Sequence, residues 1–283
     1  MKKYIILLFV LSLFINFYMD SAIAQEESGD RIIVNLTDPS KPVYIDLSLL
    51  NGGITVTGTK EKIVSVEAKT GLNKIGFNRK KGKSGEKEKG LLRIPVNSSG
   101  LTIDENNNRI EINAESWKNS IDVNLEVPKK TSLKLKCVNH GDIYVENVEG
   151  EFEIENVNGS VTLKNISGSV NAHTLNQNLF VSLIKVDDEK PMSFSSFNGD
   201  IDVTLPNSLK CNVKIKSDRG DVYSNFEIKE LQNPQKIIEE GRWGQQGKFR
   251  VRLENAFFGA INGGGPEFQF NSFNGDVFIR KAE

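Results

Sequence analysis

Between Val138 and Val181 the apolar residues keep fixed distances from a glycine that recurs every nine residues, at Gly141, Gly150, Gly159 and Gly168. Counted from each glycine, the unit reads Gly-x-apolar-x-apolar-x-Asn-apolar-x, with Thr174 replacing asparagine in the fourth copy. The apolar slots hold Ile143, Val145 and Val148, then Phe152, Ile154 and Val157, then Val161, Leu163 and Ile166, then Val170, Ala172 and Leu175. A fifth copy keeps Leu179 and Val181 but has Gln177 where glycine stood. Side chains alternate faces along a strand, so positions three and five of a unit share a side. Position eight has the opposite parity. It joins them only if the chain bends at the polar pair before it (Glu146-Asn147, Glu155-Asn156, Lys164-Asn165, His173-Thr174). Each unit is thus predicted to be a short strand and a corner.

A unit this short buries its apolar face only by stacking on its neighbours, which is the logic of a solenoid. The expected fold is all-β: a right-handed parallel β-helix or β-solenoid of short strands with glycine corners. If two units make one coil, Asn147 lies over Asn165, and stacked amides can bond along such a column. The alternative is an antiparallel meander, because Asn158-Gly159 and Asn198-Gly199 are also strong hairpin-turn signals.

The rest of the chain carries the same strand pattern. Period-two alternation marks Ile33, then Val43, Ile45 and Leu47, then Ile54 and Val56, then Val64 and Val66, with turns at Asp38-Pro39 and Asn51-Gly52-Gly53. Strands are predicted again at 101–103, 109–114 and 121–127, the last closed by Pro128, which cannot donate to a ladder. Leu133, Leu135 and Cys137 then lead into the nine-residue array. Beyond it, Phe197-Asn198-Gly199-Asp200-Ile201 is echoed by Phe273-Asn274-Gly275-Asp276-Val277, and more weakly by Asp218-Arg219-Gly220-Asp221-Val222, so the solenoid is expected to run on to Ile279. Residues 225–243 are more polar and read as an excursion, with a helical turn or two at 234–240. Phe249, Val251 and Leu253 return to strand periodicity.

Two segments change the picture. Residues 1–24 read as a signal peptide: Lys2 and Lys3, an apolar run from Tyr4 to Phe17, and Ala22-Ile23-Ala24 before Gln25. Asn16 and Asp20 interrupt it too soon for a spanning helix, and no cysteine follows for lipid attachment. Export to a periplasm, cell surface or the medium is expected, with a single domain over 25–283. From Gly71 to Gly90, lysines and arginine crowd among glycines, a composition that buries too little to order itself. It is either a contact arm for acidic polymer or a solvated basic loop.

Of 36 basic and 37 acidic residues, Lys2, Lys3 and Asp20 belong to the leader, which leaves 34 and 36, a net charge of −2. That balance gives no reason to expect nucleic acid or an anionic membrane as partner.

These motifs together resemble the putative-adhesin family, a bacterial family of unknown function built as a β-solenoid. The resemblance rests on Val-Pro-x-x-x-x-Leu-x-Leu at Val127 to Leu135, the Gly-x-Ile/Val units from Gly141, Phe-Asn-Gly-Asp-Ile at Phe197, and Gly263-Gly264-Gly265 with the closing Phe-Asn-Gly-Asp-Val. It implies the fold over nearly the whole mature chain and, more loosely, surface binding; such motifs are signatures of turns and strands rather than of chemistry. The basic stretch at 71–90 departs from the family's compact pattern.

Candidate chemistry is sparse. Asp142, Asp200, Asp221 and Asp276 each follow a glycine, but Glu151, Ser160 and Ser169 replace aspartate in other copies, so turn stabilisation is favoured over calcium binding. His140 and His173 are read as surface or corner residues without partners at metal-ligand spacing. Cys137 and Cys211 alternate with apolar residues as buried strand cysteines do, though an exported protein could pair them. Trp117, Trp243, Phe257 and Phe258 could stack on sugars or cap the solenoid. No catalytic, cofactor or metal motif is present. The expectation is a non-enzymatic binding or scaffolding protein of the cell envelope, its ligand a protein or polysaccharide. A carbohydrate-active enzyme, or a structural subunit of an envelope complex, is the alternative, and a groove with two carboxylates beside Trp117 or Trp243 would favour the enzyme.

Overall fold

The computed structural model describes residues 30–71, 100–114, 120–232 and 256–283. The leader, residues 72–90 of the basic stretch, Trp117, Trp243, residues 234–240 and the periodic Phe249, Val251 and Leu253 lie outside them.

The described residues form twenty strands in two columns whose buried faces share one apolar core. The nine-residue array spans β8 (Thr131–Asn139), β9 (Ile143–Glu146), β10 (Glu149–Asn156), β11 (Val161–Thr174) and β12 (Leu179–Val186). Here β8, β10 and the second half of β11 stack in one column, and β9, the first half of β11 and β12 in the other, all in parallel. Ile143 sits beside Val161 and Val161 beside Leu179, so two units make one coil of eighteen residues. Parallel pairing excludes hairpins across Asn158-Gly159 and Asn198-Gly199. Val145, Ile154 and Leu163 are fully buried, as positions three and five should be.

The two corners of a coil are not equivalent, which corrects the nine-residue description. At one corner Asn147 and Asn165 take left-handed backbone (φ 60° and 53°), the chain reverses parity, and Val148 and Ile166 are buried as expected. At the other corner the strand keeps period two for one residue more, so Asn156 and Thr174 point inward while Val157 and Leu175 are only half-buried. A buried amide needs partners. Asn156 finds them in the turn: its Nδ2 donates to the carbonyls of Gly141 (3.1 Å) and Ser160 (3.2 Å), and its Oδ1 accepts the Gly159 N–H (3.1 Å).

Both ends of the stack depart from chain order. At the amino-terminal end, β2 (Val43–Asn51) and β3 (Ile54–Thr59) form a coil lying between β6–β7 (Arg109–Ala114, Ser120–Pro128) and β8–β9. At the other end, β13 (Met192–Ser196) and β14 (Ile201–Leu205) do not meet β15 (Cys211–Ser217) and β16 (Val222–Ser224). The final pair, β19 (Glu267–Ser272) and β20 (Val277–Lys281), is stacked between them. The ends also add antiparallel pairs, so the sheet is mixed rather than wholly parallel. The strand β4 (Val64–Gly71) lies on β7 with β1 (Asp30–Val34) outside it, and β5 (Leu101–Asn106) lies on β6. In the same way β18 (Phe257–Ile261) lies on β15 and β17 (Ile228–Glu230) on β18.

The corner glycines are explained by distance more than by torsion. A Cβ on Gly159 would stand 1.9 Å from the Gly141 carbonyl oxygen, one on Gly275 2.2 Å from that of Gly199, and one on Gly220 2.0 Å from that of Gly275. Backbone passes over backbone at these points, and any side chain would prise the coils apart.

Candidate binding face

Strand alternation divides each column into a buried side and an outward side, and stacking in register turns each outward position into a straight row along the axis. On the column containing β9 and β20, one such row reads Tyr144, Thr162, Phe180, Asp202, Phe278, Tyr223, each residue beside the next. Neighbouring strands lie about 4.8 Å apart, so the row is about 24 Å long and Tyr144, Phe180 and Phe278 recur about every 9.6 Å. Phe180 is 40% exposed and Tyr223 50%. The Phe278 and Tyr223 rings stack at 5.2 Å and 12°. Between the rings stand Thr162 and Asp202, the latter accepting a hydrogen bond from Arg280 Nε (2.8 Å). The Arg280 guanidinium also sits 4.9 Å from the Phe278 ring centre, and its pKa is raised by the bond to Asp202. Tyr144 donates its hydroxyl hydrogen to Glu146 (2.7 Å), which pushes its own pKa up.

The row is anchored by its turn. The Asp142 carboxylate accepts the Ser160 N–H (2.7 Å), Asp200 accepts that of Asp276 (2.9 Å), and Asp276 accepts that of Asp221 (2.8 Å). Each aspartate thus ties its coil to the next, the turn-stabilising role read from the sequence. Beside this column runs a ladder of amides. Asn158 donates to Asn139 (2.8 Å), Asn176 to Asn158 (2.7 Å), Asn198 to Asn176 (2.8 Å), Asn274 to Asn198 (2.6 Å), and Arg219 to Asn274 (3.3 Å). The ladder was expected at Asn147 and Asn165; it lies at the opposite corner, through Asn158, Asn176, Asn198 and Asn274.

The other candidate residues scatter. His140 is an exposed corner residue with φ 61°, and His173 lies on the outer face of β11, Nδ1 2.7 Å from the Ser195 hydroxyl. Cys137 and Cys211 are both free and buried. Cys137 directs its thiol at the Gly52 carbonyl (2.9 Å), and burial pushes its pKa up to about 11 and that of Cys211 to about 12. Phe258 has the Lys214 ammonium 5.8 Å over its ring. Phe257 is exposed and lines a hollow of about 490 Å³ at the carboxy-terminal end with Ile215, Val222 and Ile228.

On the other column a smaller hollow of about 240 Å³ lies between Tyr44 and Pro191. Two carboxylates line it, Glu151 and Glu153, two apart on β10 and so about 7 Å from each other. Each is ion-paired, Glu151 with Lys190 (2.7 Å) and Glu153 with Lys134 (3.2 Å).

Residues 24–255 match the family described as Toastrack DUF4097. The chain belongs to that family. The Toastrack match stops before β19 and β20, although those strands form an interior coil. Among solved structures, the chain is similar to a putative cell adhesion protein from Clostridium sporogenes, at 12% identity over 90% of this chain and 100% of that one, TM-score 0.42. It is also similar to a putative adhesin from Bacteroides fragilis, at 10% identity over 90% and 98%, TM-score 0.33. No curated protein matches. Among the described residues no helix is long and apolar enough to cross a membrane.

The aromatic row escaped the sequence reading, which looked to tryptophans and chain ends. Its signal was present: Gly141-Asp142-Ile143-Tyr144, Gly220-Asp221-Val222-Tyr223 and Gly275-Asp276-Val277-Phe278 share one pattern, with the aromatic residue three places after the corner glycine.

Proposed function

We propose that this protein is a non-enzymatic binding module of the cell envelope, exported by its leader to the periplasm, cell surface or medium. The observation that carries this reading is the row Tyr144–Phe180–Phe278–Tyr223: four rings in one line, Phe180 and Tyr223 exposed and Tyr144 and Phe278 half-buried, on backbone that the coils lock in place. Large apolar rings left in water on a rigid sheet suit recognition of a partner that covers them. The two cysteines lean the same way. Both thiols are pushed up by burial, the reverse of what a nucleophilic cysteine needs. Right-handed winding belongs to the same reading, since about 98% of crossovers between parallel strands of one sheet, such as β8 to β10, take that hand.

Glu151 and Glu153 favour a second reading, hydrolysis of a glycan in the hollow beside Tyr44, because their separation suits a carboxylate pair. Their lysine ion pairs count against it, as neither is placed to hand a proton to a glycosidic oxygen.

The test is to incubate the mature chain with isolated envelope fragments of its own bacterium, then measure both the protein retained and the sugar reducing ends released. Retention with no release is expected. Steady release that Glu151→Gln abolishes would replace binding by catalysis.

A further inference from the structure

The ligand of the aromatic row can be named by class. We propose that it is a neutral β-1,4-linked glucan chain, lying extended along the stacking axis of the solenoid. This rests on the binding reading above and makes it specific. Three observations carry it.

The first is the interval. Rings at Tyr144, Phe180 and Phe278 occupy every second coil, about 9.6 Å apart. A chain linked equatorially at carbons one and four is straight, and each sugar is turned over relative to the last. The same face therefore recurs every second sugar, and an advance of two coils matches an advance of two sugars. An α-1,4-linked chain coils away from a straight row.

The second is the alternation itself. Rings on adjacent coils stack on each other, as Phe194 does on Phe270 at 5.1 Å, Phe197 on Phe273 at 4.6 Å and, at the end of the row itself, Phe278 on Tyr223 at 5.2 Å. Phe180 instead has Thr162 on one side and Asp202 on the other. At 40% exposure it offers apolar ring surface to the C–H face of a pyranose, with the Thr162 and Asp202 side chains beside it for that sugar's hydroxyls.

The third is charge. Asp142, Asp200 and Asp276 run along one flank of the row, Asp202 lies in it, and the other flank carries Glu146, Lys164 beside it, and Arg280, which is bound to Asp202. A polyanion would meet the acidic flank, whereas a neutral chain meets no charge it must desolvate against.

The experiment is calorimetric titration of the mature chain with cellohexaose, with maltohexaose, chitohexaose and a hexameric polyuronate as comparisons. Cellohexaose is expected to bind and the other three to bind at least about tenfold more weakly. Phe180→Ala should lower cellohexaose affinity about tenfold, Phe180→Tyr should restore it, and Ile184→Ala, a 63%-exposed residue of the same strand off the row, should leave it unchanged, each checked for an unaltered melting curve. Equal binding of maltohexaose, tighter binding of chitohexaose, or indifference to Phe180→Ala overturns the proposal. If cellohexaose fails to bind while envelope fragments still retain the chain, the glucan assignment is wrong and the binding reading stands. If the fragments also fail to retain it, both fall.

Discussion

The rings of Phe197 and Phe273 lie parallel within 3° at 4.6 Å, although their coils stand at opposite ends of the carboxy-terminal third of the sequence. Next to them, Asn274 donates to Asn198 at 2.6 Å across 76 residues of chain. The coil of β19 and β20, after β15 in chain order, is therefore an interior layer, and β13 meets β15 only through it.

Damage to this late coil should thus cost as much as damage to the centre of the array. Phe270 is fully buried and stacked on Phe194, so Phe270→Ala should lose about 3–5 kcal/mol in urea unfolding, while Phe273→Ala, half-exposed, should lose about 1 kcal/mol. A loss below about 1 kcal/mol for Phe270→Ala would mean that the coil is peripheral.

Corner glycines should be intolerant for reasons of space. Gly159→Ala places a methyl 1.9 Å from the Gly141 carbonyl oxygen, and forcing the coils apart should cost about 3 kcal/mol. Gly263 offers the contrast: nothing lies within 4 Å of its Cβ position, and only its φ of 93° opposes a side chain, so Gly263→Ala should cost about 1 kcal/mol. Equal melting temperatures for the two variants would refute the close-approach account.

Thr174 marks the coil in which Gln177 replaces the corner glycine, and among the described residues its hydroxyl is the one buried side-chain polar atom without a hydrogen-bond partner. Asn156, Ser196, Ser217 and Ser272, at the same level of neighbouring coils, all bond into their turns. Thr174→Val should therefore be neutral or stabilising by up to about 1 kcal/mol. Thr131→Val is the control: its hydroxyl donates to the Pro128 carbonyl at 2.6 Å, and its loss should destabilise by about 1 kcal/mol.

The two thiols should resist reagents at neutral pH in the folded protein and both titrate in denaturant without prior reduction. Their folded pKa values, about 11 and about 12, lie above the ordinary 9.0. Their contribution to stability is therefore complete below pH 9 and is lost as pH rises from there through the folded values. Melting temperatures measured from pH 8 to 11 should fall over that range in the wild type and fall less in Cys137→Ala/Cys211→Ala.

The sequence by itself determined the strands and the repeating unit. Period-two runs and a nine-residue glycine spacing act within one turn of chain, so the burial of Val145, Ile154 and Leu163 could be read directly, as could the turn role of Asp142, Asp200 and Asp276. What only the tertiary structure decided is everything that depends on which coil lies beside which. The tucked coils β2–β3 and β19–β20, the amide ladder through Asn274 and the row from Tyr144 to Tyr223 join residues far apart in the chain. The two unlike corners were hidden for a related reason. Asn147 and Asn156 occupy the same place in the repeat, and only the backbone they sit in, left-handed at one and extended at the other, decides which faces water and which fills the core.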